Sequence, residues 1–358
     1  MSRSDLACNV FFFRPLTRIS FTFGCELYII KYQFSSKKVK PVPINLFTRI
    51  RRHAAISTGN FESLFNKIKI SSLPIAISRL LEEINKPEPE LEQIGRLIGA
   101  LPEISAQVLK TVNSSLFQLR SPVLSIQHAV SLLGLDHIRS ITLSFAAVKA
   151  VPRPKDALFD HQAFWGDSLL RALVARNFAR AHCPEHCDDA FTAMLIADVA
   201  LPMLLNNWSE YYRPVVREWH SCGERLSEIE HRHFGWNHAQ AGAWILHRWK
   251  FPEQLICFVG IHNSRPELAA ELELEQTIAL PLMIASMLPS SLPRMDERAS
   301  AFVDAAISWF SFASDELAGL MEDVEEGFFE IHELMGLCQV GKQPVLEAVN
   351  GILTDRVS

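Results

Sequence analysis

The chain has 358 residues, of which 48% are hydrophobic and 21% are charged, and its formal net charge is -5 at pH 7. These values are typical of a globular protein, and they exclude a disordered or fibrous chain. Positive charge is concentrated at the start, because residues 1–60 hold ten Lys or Arg against two acidic residues, Asp5 and Glu26. The remainder is acidic, which argues against a nucleic-acid interface on the main body.

Cysteine content and apolar runs predict the cellular compartment. Seven cysteines in a chain of this length are too sparse for the disulfide framework of a small secreted domain. The aromatic run 10–13 stops at Arg14, and no signal-peptide cleavage pattern follows it. The longest later apolar stretch, 279–288, is shorter than the roughly 20 residues that span a bilayer. We therefore expect a cytoplasmic protein without a membrane span.

The start of the chain differs from the rest. Residues 1–60 form a basic extension with aromatic and β-branched clusters, for which we predict a strand-like or poorly ordered structure. From Leu73 onward, apolar residues recur at helical spacing. This pattern predicts helices around 77–84 and 91–101, separated by a proline-containing break at 85–90.

The helical pattern continues along the chain. The following helices are predicted at 104–112, 126–133 and up to about Ala150, then at 164–180, 188–205, 211–219, 237–249 and 252–262. The proline-containing run 151–154 between them indicates a linker between two lobes. Beyond Pro266 the pattern is helical and acidic, with its charges on a solvated face. No segment is typical of a sheet, so the predicted fold class is all-α, with two helical lobes.

The common catalytic motifs are absent from the sequence. It contains no phosphate-binding P-loop, dinucleotide fingerprint, nucleophile elbow or two-histidine zinc helix. What the sequence does contain is a set of His and Asp residues on successive helices of the second lobe. Helices of a bundle can direct such side chains to one point, so a metal site is the chemistry to consider.

Several sequence blocks, in order, resemble the HDOD family. They lie at 73–74, 108–117 and 125–134 in the first lobe, and at 164–168, 194–198, 234–238 and 261–263 in the second. The resemblance covers about residues 65–265, and blocks in the correct order are more specific than one short pattern. It implies a second lobe similar to the HD and HD-GYP metal-dependent phosphohydrolases. It also implies a role as a signalling output or adaptor module, because a shared fold does not carry the activity with it.

The hydrolase pattern is only partly present. It expects histidine where this chain has Asp167, and His-Asp where the chain has Ala197-Asp198, whereas the histidines expected at His238 and His262 are present. Ala197 supplies no ligand atom, and a carboxylate at 167 differs from imidazole in reach and in metal preference. The resemblance therefore implies a degenerate metal site with Asp198, His238, His262 and Asp167 as vestigial ligands, and with no catalytic residue.

These observations predict a non-catalytic bacterial signal-transduction or adaptor protein that acts through protein interaction and needs no cofactor. The expected partner is a signalling protein and not nucleic acid, and a homo-oligomer is compatible with the sequence. Two alternatives stay open. One is a metal-dependent phosphohydrolase with a residual divalent metal on Asp198, His238 and His262, acting on a phosphoester or nucleotide. The other is a non-enzymatic receptor of a cyclic dinucleotide.

The predicted domain organisation follows the composition and the resemblance. We expect the basic extension at 1–60, an HDOD domain at 65–265 with lobes at 65–150 and 155–265, and an acidic helical extension at 266–358 that packs on them.

Overall fold

The structure is a computed structural model, and it describes residues 19–20, 26–27, 73–117, 119–290, 296–337 and 343–357. Two short strands, β1 (Ile19–Ser20) and β2 (Glu26–Leu27), pair antiparallel. The rest of the predicted extension at 1–60 lies outside the described residues. From residue 73 onward the described chain forms helices joined by turns, which confirms the all-α fold class. No described helix is both long and apolar enough to cross a membrane.

The first lobe consists of five helices. They are α1 (Ile75–Ile84), α2 (Leu91–Gly99), α3 (Pro102–Val112), α4 (Ile126–Leu133) and α5 (Leu135–Ala150). Each packs an apolar face inward, and Leu80, Ile94 and Val108 are fully buried on such faces. Gly134 joins α4 to α5 with a φ of 90°, a left-handed backbone conformation that favours glycine.

The second lobe is built around one long helix. Its elements are α6 (His161–His182), a 3₁₀ turn (Pro184–His186), α7 (Cys187–Leu195), α8 (Ala200–Asn207), α9 (Ser209–Ser221), α10 (Leu226–Phe234), α11 (His238–Arg248) and α12 (Glu253–Ile261). Most residues of α6 are buried, because α7 packs along it on one side and C-terminal helices cover another. This helix is the centre of the hydrophobic core.

The single helix predicted at 188–205 is wrong, because a turn at residues 196–199 separates α7 from α8. In this turn the amide of Ala197 donates to the carbonyl of Met194 at 3.2 Å, which is a bond to the third preceding residue. Such bonds tighten the last turn of a helix and change the direction of the chain. The run contains mostly apolar residues, so its periodicity gave no sign of the break.

The C-terminal part covers both lobes. It contains α13 (Glu267–Glu271), α14 (Ala279–Ala285), α15 (Asp296–Phe310), α16 (Ser314–Ile331), a 3₁₀ turn (His332–Met335) and α17 (Pro344–Val357). A Cβ at Gly327 of α16 would lie 3.2 Å from Leu173 of α6 and 3.4 Å from Leu116 of the first lobe. Glu330 also accepts a hydrogen bond from the amide of Ser115 at 2.7 Å. Helix α16 therefore contacts both lobes.

A buried polar junction connects the lobes beside α16. Asp188, at the start of α7, accepts a hydrogen bond from Arg176 Nε at 2.8 Å and contacts His137 Nδ1 of α5. Burial opposes ionisation of Asp188, but His137 and Arg176 hold the pKa of this carboxyl below its ordinary value. The hydrogen bond to Asp188 in turn raises the pKa of His137 above its ordinary value, against the effect of burial. The three side chains thus form a charged cluster between α5, α6 and α7.

Candidate functional site

Three of the predicted ligands meet in the second lobe. The turn between α7 and α8 presents Asp198, the first residue of α11 is His238, and His262 follows the end of α12. Asp198 Oδ1 lies 3.2 Å from His238 Nε2 and 3.2 Å from His262 Nε2. All three side chains are buried, and their ligand atoms lie within 4.8 Å of one another. We call these three residues the Asp-His-His cluster.

The fourth predicted ligand, Asp167, lies beside this cluster and outside it. Asp167 is buried on α6 and accepts a hydrogen bond from Ser290 Oγ at 2.5 Å. It lines a small cavity together with Asp198, but among the described residues it is not in the group whose ligand atoms converge within 4.8 Å. Ala197, which precedes Asp198, is fully buried and contributes a methyl group.

A buried carboxylate orients His238. Glu230 of α10 accepts hydrogen bonds from the backbone amide of His238 at 2.8 Å and from His238 Nδ1 at 2.5 Å. The hydroxyl of Tyr212 donates to the other oxygen of Glu230. Burial disfavours the charged imidazole, but Glu230 and Asp198 raise the pKa of His238 to about 10. His238 therefore bridges two carboxylates, and the side-chain amide nitrogen of Asn263 lies 2.5 Å from its Nε2.

His262 is fixed by a backbone carbonyl. Its Nδ1 lies 2.7 Å from the carbonyl oxygen of Val259 and donates a hydrogen bond to it. Burial lowers the pKa of His262 below its ordinary value, although Asp198 acts against this. His262 is thus neutral at pH 7. Both imidazoles have one nitrogen fixed by a protein acceptor, an arrangement that is also typical of histidines that hold metals.

The second carboxylate oxygen of Asp198 accepts a hydrogen bond from a guanidinium group. Arg171 of α6 donates from Nη1 to Asp198 Oδ2 at 3.0 Å and from Nε to the carbonyl of Leu288 at 3.2 Å. Burial opposes ionisation of Asp198, but the neighbouring side chains of His238 and His262 hold the pKa of this carboxyl well below its ordinary value. Asp198 is therefore a carboxylate surrounded by cationic and polar donors.

The cluster matches one metal ion in spacing, but Arg171 already pairs with its carboxylate. Two ligands at about 2.0–2.1 Å from a tetrahedral ion are roughly 3.3 Å apart, close to the separations of Asp198 from the two imidazoles. A ligating histidine must be neutral, so an ion bound here would have to displace any proton that His238 carries on its ligand nitrogen. Arg171 also places a positive charge on the same carboxylate.

Sequence reasoning missed Glu230 and Arg171. Helical spacing partly indicates that both residues face the interior. Glu230 lies four residues after the buried Leu226, and Arg171 lies four residues after the buried Asp167. Residues four apart share a helix face, so both charges lie on faces that turn inward.

The cap of α11 positions His238, and its removal is predicted to destabilise the protein. Asn237 accepts a hydrogen bond from the amide of Gln240 at 3.2 Å, while the Gln240 side chain accepts from the amide of Asn237 at 3.0 Å. Loss of such a cap costs about 1 kcal/mol, so Asn237→Ala should lower the free energy of unfolding by this amount in urea denaturation. The matched control is Asn206→Ala at an exposed position, and an equal loss in both variants would contradict the role of the cap.

Comparison with known proteins identifies the family. The sequence profile of the HDOD domain matches residues 70–265. An uncharacterized protein of Treponema pallidum (strain Nichols) is 24% identical over 275 residues, which are 72% of this chain and 49% of the relative. This chain therefore spans about half the length of that relative.

Solved structures share the fold. A protein from Shewanella amazonensis SB2B, provisionally named a phosphohydrolase, is similar with a TM-score of 0.59 and 22% identity over 79% of this chain and 99% of that chain. An HDOD domain protein of unknown function from Geobacter sulfurreducens has a TM-score of 0.56 and 17% identity, over 83% of this chain and 100% of its own. A protein from Marinobacter aquaeolei VT8, provisionally named a signal transduction protein, has a TM-score of 0.53 and 18% identity, over 86% and 66% of the two chains.

These structural likenesses establish the fold and leave the activity aside, because the identities are low. The profile match covers more than half of the chain and includes all three residues of the Asp-His-His cluster. The chain belongs to the HDOD domain family.

Proposed function

We propose that this protein is a bacterial signalling module that acts by binding a partner and does not hydrolyse phosphoesters. The observation that carries this proposal is the hydrogen bond of 3.0 Å from Arg171 Nη1 to Asp198 Oδ2. This guanidinium supplies positive charge to the carboxylate that a metal would otherwise supply. Two positions of the hydrolase pattern, Asp167 and Ala197, have also lost the imidazole.

The cluster then has a structural role in the second lobe. Asp198, His238 and His262 connect the α7–α8 turn to α11 and α12 through buried polar contacts. A buried carboxylate that has donors on both oxygens is satisfied without an ion. The family resemblance supports a signalling protein as the partner, with the contact made through helix surfaces or through the pocket of the second lobe.

Metal analysis of the purified protein tests this proposal. We expect Mn, Fe and Zn contents far below one ion per chain, and no phosphodiesterase activity above that of Asp198→Ala. The control is Asp323→Ala, which removes an exposed carboxylate of α16. One bound ion per chain, together with a phosphodiesterase activity that Asp198→Ala abolishes and Asp323→Ala retains, would overturn the proposal.

The second candidate function is a metal-dependent phosphohydrolase, and the spacing of the cluster favours it. The separation of 3.2 Å between Asp198 and each imidazole is that of ligands around one ion. If the charge of Arg171 excludes the ion, the neutral variant Arg171→Gln should bind Zn more tightly than the unmodified protein. Equal metal contents of the two proteins, both at one ion per chain, would favour the hydrolase.

A further inference from the structure

A cavity of about 410 Å³ adjoins the Asp-His-His cluster, in the size range of small-molecule sites. Three arginines from different parts of the chain line it. They are Arg171 of α6, Arg225 just before α10, and Arg298 of α15. Only partly exposed, these guanidinium groups bring three positive charges to one concave surface.

Arg225 has neutral hydrogen-bond partners. Its Nη2 donates to Ser286 Oγ at 3.0 Å and to Asn263 Oδ1 at 3.4 Å. Burial lowers the pKa of Arg225. The charges of Glu228 and Asp198 raise this pKa, and those of Arg171 and Arg298 lower it. Within the part of the chain that the structure describes, no carboxylate forms an ion pair with Arg225. Its direct hydrogen-bond partners are therefore neutral, and no carboxylate in the described residues pairs with it directly.

Arg298 is fixed in a similar way. Its Nε donates to the carbonyl of Gly223 at 3.1 Å, and its Nη2 contacts the carbonyls of Gly223 and Glu224. Carbonyl oxygens orient a guanidinium group without neutralising it. The described side chains include no carboxylate paired with Arg298.

In the described structure, none of the carboxylates that line the cavity forms an ion pair with Arg225 or Arg298. Asp198 is already shared by Arg171 and the two imidazoles. Glu224 pairs with Arg232 at 2.6 Å, and Glu228 is exposed at the mouth. Closely spaced cations in a partly buried site are unfavourable unless an anion joins them, and guanidinium groups bind phosphate oxygens through paired hydrogen bonds.

The same cavity has an apolar wall. Trp219 of α9 lines it together with Leu226 and Met287. An indole face stacks well on a flat aromatic ring, such as a nucleobase. The cavity thus combines a cationic side and a flat apolar side within one volume.

We propose that this cavity binds a nucleotide-class phosphate ester, with its phosphate on Arg171, Arg225 and Arg298 and its ring on Trp219. This inference deepens the proposed function and rests on it in one respect, because the ligand is bound as a signal and is not consumed. The phosphate takes the place of the missing counter-ion of Arg225 and Arg298.

The test is calorimetric titration of the full chain with each of the four ribonucleoside 5′-monophosphates, and with inorganic phosphate. We expect at least one nucleotide to bind with a Kd below about 1 mM, and more tightly than inorganic phosphate. Arg225→Gln and Trp219→Ala should each weaken this binding by about tenfold or more. The matched control is Arg96→Gln, which removes the same charge from an exposed position of α2 and should leave the Kd unchanged.

Thermal unfolding without ligand separates a binding role from a structural one. Since Arg225 forms no direct ion pair with a described residue, Arg225→Gln should change the Tm without ligand only slightly while losing the increase in Tm that the nucleotide causes. A lowered Tm with an unchanged Kd would overturn the inference, and so would binding of none of the four nucleotides. Arg298→Gln is a second variant for this test, and it should likewise lose the increase in Tm that the nucleotide causes.

Phosphate release during the titration distinguishes the two proposals. Nucleotide binding that depends on Arg225 but is followed by release of inorganic phosphate would confirm the cavity and overturn the non-hydrolytic function. Absence of binding would overturn the cavity assignment and leave the proposed function as it stands.

Discussion

Replacing Glu230 by alanine is expected to lower the free energy of unfolding by about 3–5 kcal/mol. The carboxylate of Glu230 is fully buried and accepts hydrogen bonds from Tyr212 and from two nitrogens of His238. Its removal leaves these donors without a partner inside the core, and an unpaired buried group costs more than the intact pair contributes. Urea denaturation followed by circular dichroism measures the loss.

Two controls locate the origin of this effect. Glu230→Gln keeps an acceptor oxygen and removes the charge, so a smaller loss is expected. Glu326→Ala removes an exposed carboxylate from α16 and should change the stability by less than about 0.5 kcal/mol. A loss below about 1 kcal/mol in Glu230→Ala would contradict the assignment of this carboxylate as the anchor of His238.

Replacing Asp188 by alanine is expected to have a similar effect at the junction between the lobes, again about 3–5 kcal/mol. Asp188 and Arg176 form a buried ion pair at 2.8 Å, and their side chains are only 7% and 5% exposed. The variant leaves the guanidinium of Arg176 in the interior without its carboxylate. A double-mutant cycle with Arg176→Met separates the pair from the cost of the isolated cation.

The stability difference between the unmodified protein and Asp188→Ala should depend on pH. The lowered pKa of Asp188 contributes stability that is present above the unfolded value of about 3.9 and is lost as pH falls through the folded pKa. The raised pKa of His137 contributes stability that is complete below about 6.5 and is lost as pH rises through the folded pKa. The difference should therefore be largest between about pH 4 and 6.5. A difference that is constant from pH 3 to 9 would contradict the ionised pairing.

Helix positions could be predicted well where apolar periodicity and proline agree. The break predicted at 85–90 matches the end of α1 at Ile84 and the start of α2 at Leu91. The turn at 196–199 was missed because apolar residues continue through it, although Pro202 in the first turn of α8 is a sequence signal for a new helix start. This turn places Asp198, so the error in the predicted helix lies at the site itself.

The Asp-His-His cluster could be inferred from the resemblance, but its surroundings could not. Glu228 and Glu230 are two residues apart on α10, and the first is exposed while the second is fully buried. Sequence gives the charge of both residues, whereas the packing of Tyr212 and α11 decides which one becomes an internal acceptor. The surroundings of Arg225 could not be predicted either, because its hydrogen-bond partners come from segments that are distant in sequence.

The packing of Phe178 shows that the family signature and the cooperative folding unit have different limits. The profile match ends at residue 265, yet the ring of Phe178 on α6 stacks on Phe302 with centroids 6.1 Å apart and lies against Phe310 and Phe312. A fragment that stops where the signature stops would carry every diagnostic residue and would still expose this aromatic layer to water. Boundaries chosen from sequence similarity alone would thus cut through the interior of the molecule.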